Sequence, residues 1–266
     1  MKVQEEEGMT GPENLARYGG LQDKRVFVTG GGSGIGAAIV SAFADQGAAV
    51  AFVDIATDVS LELCERLASE GRRKPVFRAC DIRDIPQLQQ TMQALATELG
   101  DFDVLVNNAG NDQRHRLEDV SVEYWDDRVA INLRPMFFTC QAVVEGMKRR
   151  GGGSIINLGS NSWHIAGGGY PAYTTTKAAV SGLTRGLARD LGPHKIRVNT
   201  VTPGWVMTER QLELWLDEEG EESIRRNQCL PGHLMPWHIA RMVLFLASDD
   251  SPMCSAQEFI VDGGWS

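Results

Sequence analysis

The sequence predicts a single α/β domain built on a doubly wound parallel sheet. From Lys24 onward, short runs rich in Val and Ile alternate with segments of helical periodicity, which is the pattern of repeated β-α units. Strands of such a sheet are covered by helices on both faces. The 42% hydrophobic and 23% charged residues in a chain of 266 are ordinary for one globular domain.

Seven strands and five intervening helices can be placed on the sequence. The predicted strands are RVFVTG (25–30), AAVAFVD (48–54), PVFRAC (75–80), FDVLVNNAG (102–110), GSIINLGS (153–160), KIRVNTV (195–201) and AQEFIVDGG (256–264). The predicted helices cover 34–47, 60–71, 85–99, 125–148 and 173–191. Ligands of such sheets bind beyond the carboxyl ends of the strands, so we expect functional residues on the loops that follow them.

We divide the chain into an extension and one domain. Residues 1–23 are polar, rich in Gly and Glu and without periodicity, which predicts a flexible N-terminal extension. Residues 24–266 form the single predicted domain. Within it, residues 205–231 interrupt the alternation with a charged, helix-prone stretch, so we expect a mobile helical lid over the crevice.

Charge and cysteine usage limit the possible partners. The formal net charge of −9 repels phosphate backbones and anionic lipid, which argues against nucleic acid and membrane surfaces. The five scattered cysteines have no CxxC spacing, and His233 and His238 lack metal-ligand spacing, so we expect neither disulfides nor a metal. A signal-peptide pattern and an apolar run of the ~20 residues that span a bilayer are both missing, which predicts a cytoplasmic protein.

A glycine-rich turn follows the first predicted strand, at Thr29-Gly-Gly-Gly-Ser-Gly-Ile-Gly36. Residues without a Cβ let the backbone turn sharply and approach a pyrophosphate at a helix N-terminus. The same turn could be an ordinary connection, but a strand before it and a helix after it favour nucleotide binding. The predicted domain is therefore a dinucleotide-binding one.

Asp54 ends the second predicted strand, where a carboxylate can accept both ribose hydroxyls of an adenosine. It would repel the 2′-phosphate of NADP, and the neighbouring Ile55 and Ala56 offer no cation, so we expect NAD as the cofactor. Asp81, after the third strand, meets the adenine edge in one interpretation and caps the following helix in the other.

Tyr173 and Lys177 are four residues apart in a predicted helix, so their side chains share one face. A tyrosine must lose about three pKa units to act as a base near neutrality, roughly 4 kcal/mol. One ammonium at ~4 Å supplies about that much only where water is excluded. Taken alone, a tyrosine and a lysine at this spacing usually form part of a solvated helix face.

Several motifs occur in the order found in short-chain dehydrogenase/reductases, a family of Rossmann-type oxidoreductases that this chain resembles from about Gly20 to Ser266. They are TGGGSGIG, Asp54, NNAG at 107–110, Asn132, Ser160, Tyr173-x-x-x-Lys177 and Pro203-Gly204. The resemblance implies that Tyr173 exchanges the proton of the substrate hydroxyl and that Ser160 bonds the reacting oxygen. It implies that Lys177 holds the nicotinamide ribose and lowers the pKa of Tyr173, while Asn132 anchors a water.

The same resemblance implies a cofactor site and a homotetramer. The cofactor-binding residues expected from it are Gly30, Ser33, Gly34, Ile35, Gly36, Asp54, Asp81, Ile82, Asn108, Ala109, Gly110, Tyr173, Lys177, Pro203, Gly204, Val206 and Thr208.

A closer similarity concerns the substrate. NNAGNDQRH, SNSWHIAGGGYPAY, TPGWVMTERQ, NQCLPG and FIVDGGW resemble bacterial aldose 1-dehydrogenases, which oxidise the ring C1 hydroxyl of galactose, arabinose or xylose to an aldonolactone. The substrate-binding residues implied are Asn111, Asp112, Ser160, Trp163, His164, Tyr173 and Trp205. Gln113 and Pro135-Met136 depart from the pattern of these enzymes, so the choice between pentose and hexose stays open.

Two other functions are compatible with parts of this pattern. A 3-oxoacyl, steroid or polyol oxidoreductase would share the scaffold, although an acyl or steroid pocket calls for an apolar lid and residues 208–228 carry many charges. A cofactor-binding protein without turnover is expected to lack Tyr173 or Lys177, and this chain has both. A serine hydrolase is excluded, because the sequence around Ser160 is not the G-x-S-x-G elbow.

Overall fold

The predicted parallel sheet is confirmed. The computed structural model describes residues 16–266, and in them seven strands form one parallel sheet in the order β3-β2-β1-β4-β5-β6-β7. The strands are β1 (Arg25–Thr29), β2 (Ala49–Asp54), β3 (Val76–Ala79), β4 (Val104–Asn107), β5 (Gly153–Leu158), β6 (Ile196–Pro203) and β7 (Glu258–Val261).

Helices cover both faces of the sheet. They are α1 (Gly34–Asp45), α2 (Thr57–Ser69), α3 (Ile85–Leu99), α4 (Val122–Asn132), α5 (Arg134–Arg150), α6 (Pro171–Leu191), α7 (Glu209–Leu214), α8 (Glu218–Asn227) and α9 (Pro236–Ala247). Helices α1, α2 and α9 contribute to the core on one face, and α3, α5 and α6 to the core on the other. Among the residues described, no helix combines the length and the apolar character needed to cross a membrane.

The sequence of strand β1 is apolar at nearly every position because both faces of the strand are buried. Val26 and Val28 belong to the core of one face, and Phe27 between them belongs to the core of the other. Successive side chains of a strand point to opposite faces, so a strand covered on both sides needs no polar alternation.

The order of the strands reverses between β1 and β4, because β1 pairs with β2 on one side and with β4 on the other. A crevice opens at such a switch point, outside the carboxyl ends of the strands. The glycine-rich turn after β1, Asp54 at the end of β2 and Asn107 at the end of β4 meet at this edge. The fold thus gathers the motifs that the sequence presents far apart.

The prediction of one long helix over 125–148 is wrong. Two helices meet at Leu133, whose φ of −132° and ψ of −52° are not helical. Pro135 lies in the first turn of α5, where its missing N–H costs nothing, whereas inside one continuous helix it would remove a hydrogen bond and clash with the preceding turn. The break places Asn132, which has no exposed surface, at the end of α4. Helix α9 had no counterpart in the sequence analysis.

The predicted N-terminal extension lies mostly outside the described residues, which begin at residue 16. Its last part packs on the domain: Gly19–Leu21 forms a short 3₁₀ turn, and the side chain of Leu21 is fully buried in the core. The backbone N–H of Tyr18 donates to Oε1 of Gln46 at 2.9 Å. Residues 18–22 therefore belong to the folded domain.

A chain of buried polar side chains crosses the centre of the sheet. Asn107 Nδ2 donates to Asn157 Oδ1 at 2.9 Å, and Asn157 Nδ2 donates to Thr184 Oγ1 at 2.9 Å. Thr200 and Thr184 bond through their hydroxyls at 2.8 Å. Buried polar groups are tolerated only when they are paired, so these bonds fix the register of β4, β5 and β6 against α6.

We expect Asn157→Ala to lower the free energy of unfolding by about 2–4 kcal/mol, since it removes one hydrogen bond from each of two buried partners and leaves a cavity. Urea denaturation followed by circular dichroism measures this change. Asn227→Ala, in an exposed helix position, is the matched control and should change stability far less. Equal stability of both variants would contradict the structural role of the chain of buried groups.

Candidate active site

A cavity of about 840 Å³ lies at the carboxyl edge of the sheet, between the strand ends and the helices α7 and α8. One half is lined by the glycine-rich turn and the ends of β2 and β3. The other half is lined by the loops after β4 and β5, the start of α6 and the segment after β6.

The glycine-rich turn is tightly packed and depends on glycine at two positions. Gly34 has a φ of +53°, a conformation that residues with a side chain rarely adopt, and a Cβ on Gly36 would lie 1.8 Å from the carbonyl oxygen of Gly30. Asn108 Nδ2 holds the turn by donating to the carbonyls of Thr29 and Gly30, at 3.1 and 2.8 Å.

Helix α1 begins at this turn, and among the residues described no side chain caps its first backbone N–H groups. Such a helix start attracts an anion. The geometry therefore fits the pyrophosphate of a dinucleotide.

The carboxylate of Asp54 is oriented by its own neighbourhood. Its Oδ2 accepts the N–H of Gly32 and its Oδ1 accepts the N–H of Ala56, both at 2.9 Å. The next side chain, Ile55, is largely exposed and apolar. A negative charge is thus fixed at the end of the cavity where the ribose of a dinucleotide is expected.

Asp81 lines the same end of the cavity and is paired with Arg83 at 2.6 Å. Hydrogen bonds from Arg83 hold the pKa of Asp81 below its usual range. The alternative that Asp81 caps the following helix is wrong, because Asp84 accepts the N–H of Gln87 and occupies the capping position of α3. Arg83 also pairs with Asp127 of α4, so its charge is already shared by two carboxylates.

Tyr173 and Lys177 lie one turn apart on α6 and face the cavity together. Lys177 is only 3% exposed, and its Nζ donates to the carbonyl oxygen of Leu158 at 2.8 Å. The same Nζ is 5.7 Å from the ring centroid of Tyr173. Ser160, two residues beyond the end of β5, lines the same cavity wall as the phenol. The pair is therefore sheltered from water. The four-residue spacing in the sequence could not establish this.

Burial shifts the pKa values of both groups toward their neutral forms. It lowers the pKa of Lys177 to about 8 and raises that of Tyr173 well above its ordinary value. The hydrogen bond from Ser160 opposes the shift of the tyrosine, and the charge of Asp112 adds to it. The lowered pKa of Tyr173 that the family resemblance implies is thus not found in this geometry, because loss of solvation outweighs the nearby polar groups.

The side chain of Asn132 forms hydrogen bonds to the main chain and does not line the cavity. Its Oδ1 accepts the N–H of Asn111 at 2.7 Å, and its Nδ2 donates to the carbonyl of Asn111 at 3.2 Å. A Cβ on Gly110 would lie 3.2 Å from Asn132 Oδ1 and 3.3 Å from Lys177 Nζ. The two side chains therefore converge on Gly110, and the break after α4 is what brings Asn132 there.

His115 supports the start of α6, a role that the sequence did not reveal. Its Nε2 accepts the N–H of Ala172 at 3.2 Å, while its Nδ1 is 3.0 Å from the hydroxyl of Tyr124. The loop after β4 thereby caps the helix that carries Tyr173.

Most of the predicted site residues line this one cavity. Of the predicted cofactor residues, all but Gly34 are in its wall, and Gly34 lies within the turn itself. Of the predicted catalytic and substrate-binding residues, those in the wall are Asn111, Asp112, Ser160, Tyr173, Lys177 and Trp205. Asn132 lies behind the wall.

Trp163 and His164 are not brought to the cavity. His164 Nε2 pairs with Oε1 of Glu258 on β7 at 3.0 Å, and the ring of Trp163 stacks on His164 with centroids 3.7 Å apart. Both side chains follow Ser160 closely, but the short 3₁₀ turn Asn161–Trp163 redirects the chain toward the sheet edge. The similarity of sequence in this loop could not show that its side chains lie away from the cavity.

Helix α7, beyond β6, adds one side chain that the sequence did not indicate, and the loop after β4 contributes Arg114. Gln211 of α7 bonds both Asp112 and Trp205. The guanidinium of Arg114 lies 4.1 Å from the ring centroid of Tyr170, in the cavity wall next to Tyr173. In residues 16–266, no cluster of three or more His, Cys, Asp and Glu side chains could hold a metal ion.

Comparison with known proteins places this arrangement in a family. A family model described as Enoyl-(Acyl carrier protein) reductase matches residues 30–266. D-xylose 1-dehydrogenase of Caulobacter vibrioides is 50% identical over 250 residues, which cover 94% of this chain and 98% of that protein. The probable galactose dehydrogenase GalD of Rhizobium meliloti is 47% identical over 249 residues, with 94% and 97% covered.

Solved structures agree with the fold. A short-chain type dehydrogenase/reductase from Mycobacterium ulcerans has a TM-score of 0.87 at 26% identity, covering 94% of this chain and 91% of its own. A 3-oxoacyl-[acyl-carrier protein] reductase from Brucella melitensis has a TM-score of 0.86 at 30% identity, with 96% and 95% covered. The chain is therefore an oxidoreductase that acts on a CH–OH group, with a nicotinamide cofactor, and it belongs to the short-chain dehydrogenase/reductase family.

Proposed function

We propose that this protein oxidises the C1 hydroxyl of an aldose to an aldonolactone with NAD as the cofactor and Tyr173 as the base. The observation that carries the proposal is the single cavity in which the glycine-rich turn and Asp54 share a wall with Ser160, Tyr173 and Lys177. The nucleotide half and the proton-transfer half are thus within the reach of one dinucleotide and one small substrate.

The remaining wall suits a sugar. A polyhydroxylated ring needs several hydrogen-bonding groups and an apolar surface. Asp112 and Arg114 supply charged groups, while Tyr170 and Trp205 supply aromatic faces with polar ends. Asn111 is less available, since its Oδ1 already accepts from Arg128 and from the N–H of Gln113.

The names of the relatives favour a sugar over the alternatives. The proteins that are 50% and 47% identical are called a D-xylose 1-dehydrogenase and a probable galactose dehydrogenase. A protein called a 3-alpha-(or 20-beta)-hydroxysteroid dehydrogenase is 35% identical, and the oxoacyl reductase structure is 30% identical.

Each polar group of the proton-transfer half has a distinct task in this reaction. Ser160 bonds the reacting oxygen and orients it toward the phenol, and Tyr173 takes the hydroxyl proton as C1 is oxidised. Lys177 would bind the ribose next to the nicotinamide. Its positive charge favours the phenolate form of Tyr173 and so opposes the effect of burial on the pKa of that phenol. A bound nicotinamide supplies the acceptor for the hydride that leaves C1.

The choice of NAD rests on Asp54. Its carboxylate is held in place by the N–H groups of Gly32 and Ala56, so it cannot easily turn away from a 2′-phosphate. Arg83, a cation in the same wall, is engaged by two carboxylates. We also propose a cytoplasmic homotetramer with a mobile lid over 205–231, as the sequence and the family resemblance imply.

The proposed activity predicts NADH formation with neutral aldoses. A panel of D-xylose, D-galactose and L-arabinose with NAD, followed by absorbance, should show turnover of at least one sugar, with an aldonolactone or its acid as product. Acetoacetyl thioesters and hydroxysteroids, assayed alongside, should react much more slowly. Turnover of these compounds without sugar oxidation would move the assignment to the alternative substrates.

Replacing the proposed base tests the proton transfer. Tyr173→Phe should lower kcat by at least about 100-fold, because the proton acceptor is lost while the ring is kept. The Kd for NAD, measured by calorimetry, should change little. Tyr18→Phe, at the N-terminal edge of the domain, is the control. A Tyr173→Phe enzyme with near-normal turnover would remove Tyr173 from the mechanism.

The specificity for NAD is tested at Asp54. In Asp54→Ala, the Kd for NADP divided by the Kd for NAD should fall about tenfold. The reason is that a repulsion of roughly 1.4 kcal/mol between the carboxylate and the 2′-phosphate is lost. Glu62→Ala, which removes an exposed acid from the neighbouring helix α2, should leave the ratio unchanged. The same ratio in both variants would contradict the role of Asp54.

A further inference from the structure

One side-chain amide joins two walls of the cavity. Gln211, in the first turn of α7, donates from Nε2 to Oδ2 of Asp112 at 2.7 Å and accepts at Oε1 from Nε1 of Trp205 at 2.9 Å. Asp112 lies on the loop after β4, and Trp205 follows β6. The amide therefore ties together three separate segments of the cavity wall.

The two bonds determine the orientation of the amide. The indole N–H of Trp205 can only donate, so it requires the oxygen of Gln211. The carboxylate of Asp112 can only accept, so it requires the nitrogen. Glutamine is the side chain of this length that offers one donor and one acceptor, and reversing it would break both bonds.

Asp112 is held by two side chains of helix α7. Besides Gln211, it has an ion pair with Arg210 at 3.4 Å, in which both side chains are partly exposed. Exposed pairs of this kind contribute little. The shorter bond from Gln211 is therefore the stronger constraint on the carboxylate, which also acts electrostatically on Tyr173 and Lys177.

We propose that Gln211 is a positioning residue for the sugar: through its two hydrogen bonds it fixes Asp112 and Trp205 in the wall around Tyr173 and holds α7 over the substrate. This inference rests on the proposed aldose oxidation. The sugar hydroxyls meet the free lone pairs of Asp112 and the face of Trp205 only while both are held, so Gln211 contributes to sugar affinity without contacting the reacting atoms.

The variant Gln211→Glu keeps the shape of the side chain and removes its donor. A carboxylate 2.7 Å from Asp112 would be repelled at pH 7.5, which opens the contact. We expect KM for the sugar to rise about tenfold, the equivalent of one lost hydrogen bond to a charged group. The kcat should fall much less, and the Kd for NAD should not change.

Acid should restore the contact in this variant. Two facing carboxylates share a proton more readily than either binds one alone, so the pKa of the pair is raised. Once protonated, the carboxyl group introduced by Gln211→Glu could again donate to Asp112 and accept from Trp205. As the pH falls to about 5.5, the ratio of variant to wild-type KM should therefore return toward one.

Other charged and titratable groups share this wall. They affect wild type and variant alike, so their effects cancel in the ratio of the two KM values. They are Asp112 and Arg114 on the loop after β4, Arg128 on α4, Tyr170 just before α6, Tyr173 and Lys177 on α6, and Arg210 on α7. Gln90→Glu is the matched control, because it makes the same change at an exposed position of α3. Its KM ratio should stay near one at both pH values.

A second measurement needs no substrate. Amide hydrogen exchange over residues 209–227 should be faster in Gln211→Glu than in wild type at pH 7.5, and the exchange of Gln90→Glu should match wild type. A wild-type enzyme that oxidises aldoses, with unchanged KM and unchanged exchange in Gln211→Glu, would overturn this inference and leave the proposed function intact. A wild type that oxidises no aldose would overturn the proposed function, and with it the role for sugar, even if exchange showed that the contact holds α7.

Discussion

The burial of the Lys177 ammonium is the constraint around which the site is organised. A charge with 3% exposure loses most of its hydration, and the pKa of Lys177 falls accordingly. The carbonyl oxygen of Leu158, at the end of β5, accepts a hydrogen bond from the ammonium of Lys177. A side chain at Gly110 would make tight contacts with both Lys177 and Asn132. The protein thus gives up stability to keep a cation in a dry place beside a phenol, which is where such a charge acts most strongly.

Much of the scaffold followed from local sequence. The seven strands were recognisable because a strand covered on both faces is apolar at nearly every position. The glycine-rich turn and Asp54 were recognisable because their spacing after strand ends is dictated by how a dinucleotide lies across a parallel sheet. The four-residue spacing of Tyr173 and Lys177 predicted that both side chains lie on the same face of a helix. Family resemblance, rather than this spacing, singled out the pair as functional.

Other features depend on tertiary contacts that no local pattern encodes. The helical periodicity continues across Leu133, so only Pro135 hinted at the break that positions Asn132. His164 has the polarity expected of a sugar ligand, yet it pairs with Glu258, which is 94 residues away in the chain. Gln211 looks like any exposed helix residue until Asp112 is brought beside it from 99 residues away. The depth of burial, which shifts the pKa values of Tyr173 and Lys177, is likewise a property of the assembled fold.

The two halves of the cavity wall differ in how firmly they are anchored. Ser160, Tyr173 and Lys177 are attached to a central strand and a long helix, whereas α7 is six residues long and has no buried residue of its own. Change in a short surface helix is tolerated more easily than change in a core element. Evolution, or a designer, can therefore vary the breadth of accepted alcohols by exchanging this helix while the redox chemistry beneath it is inherited intact.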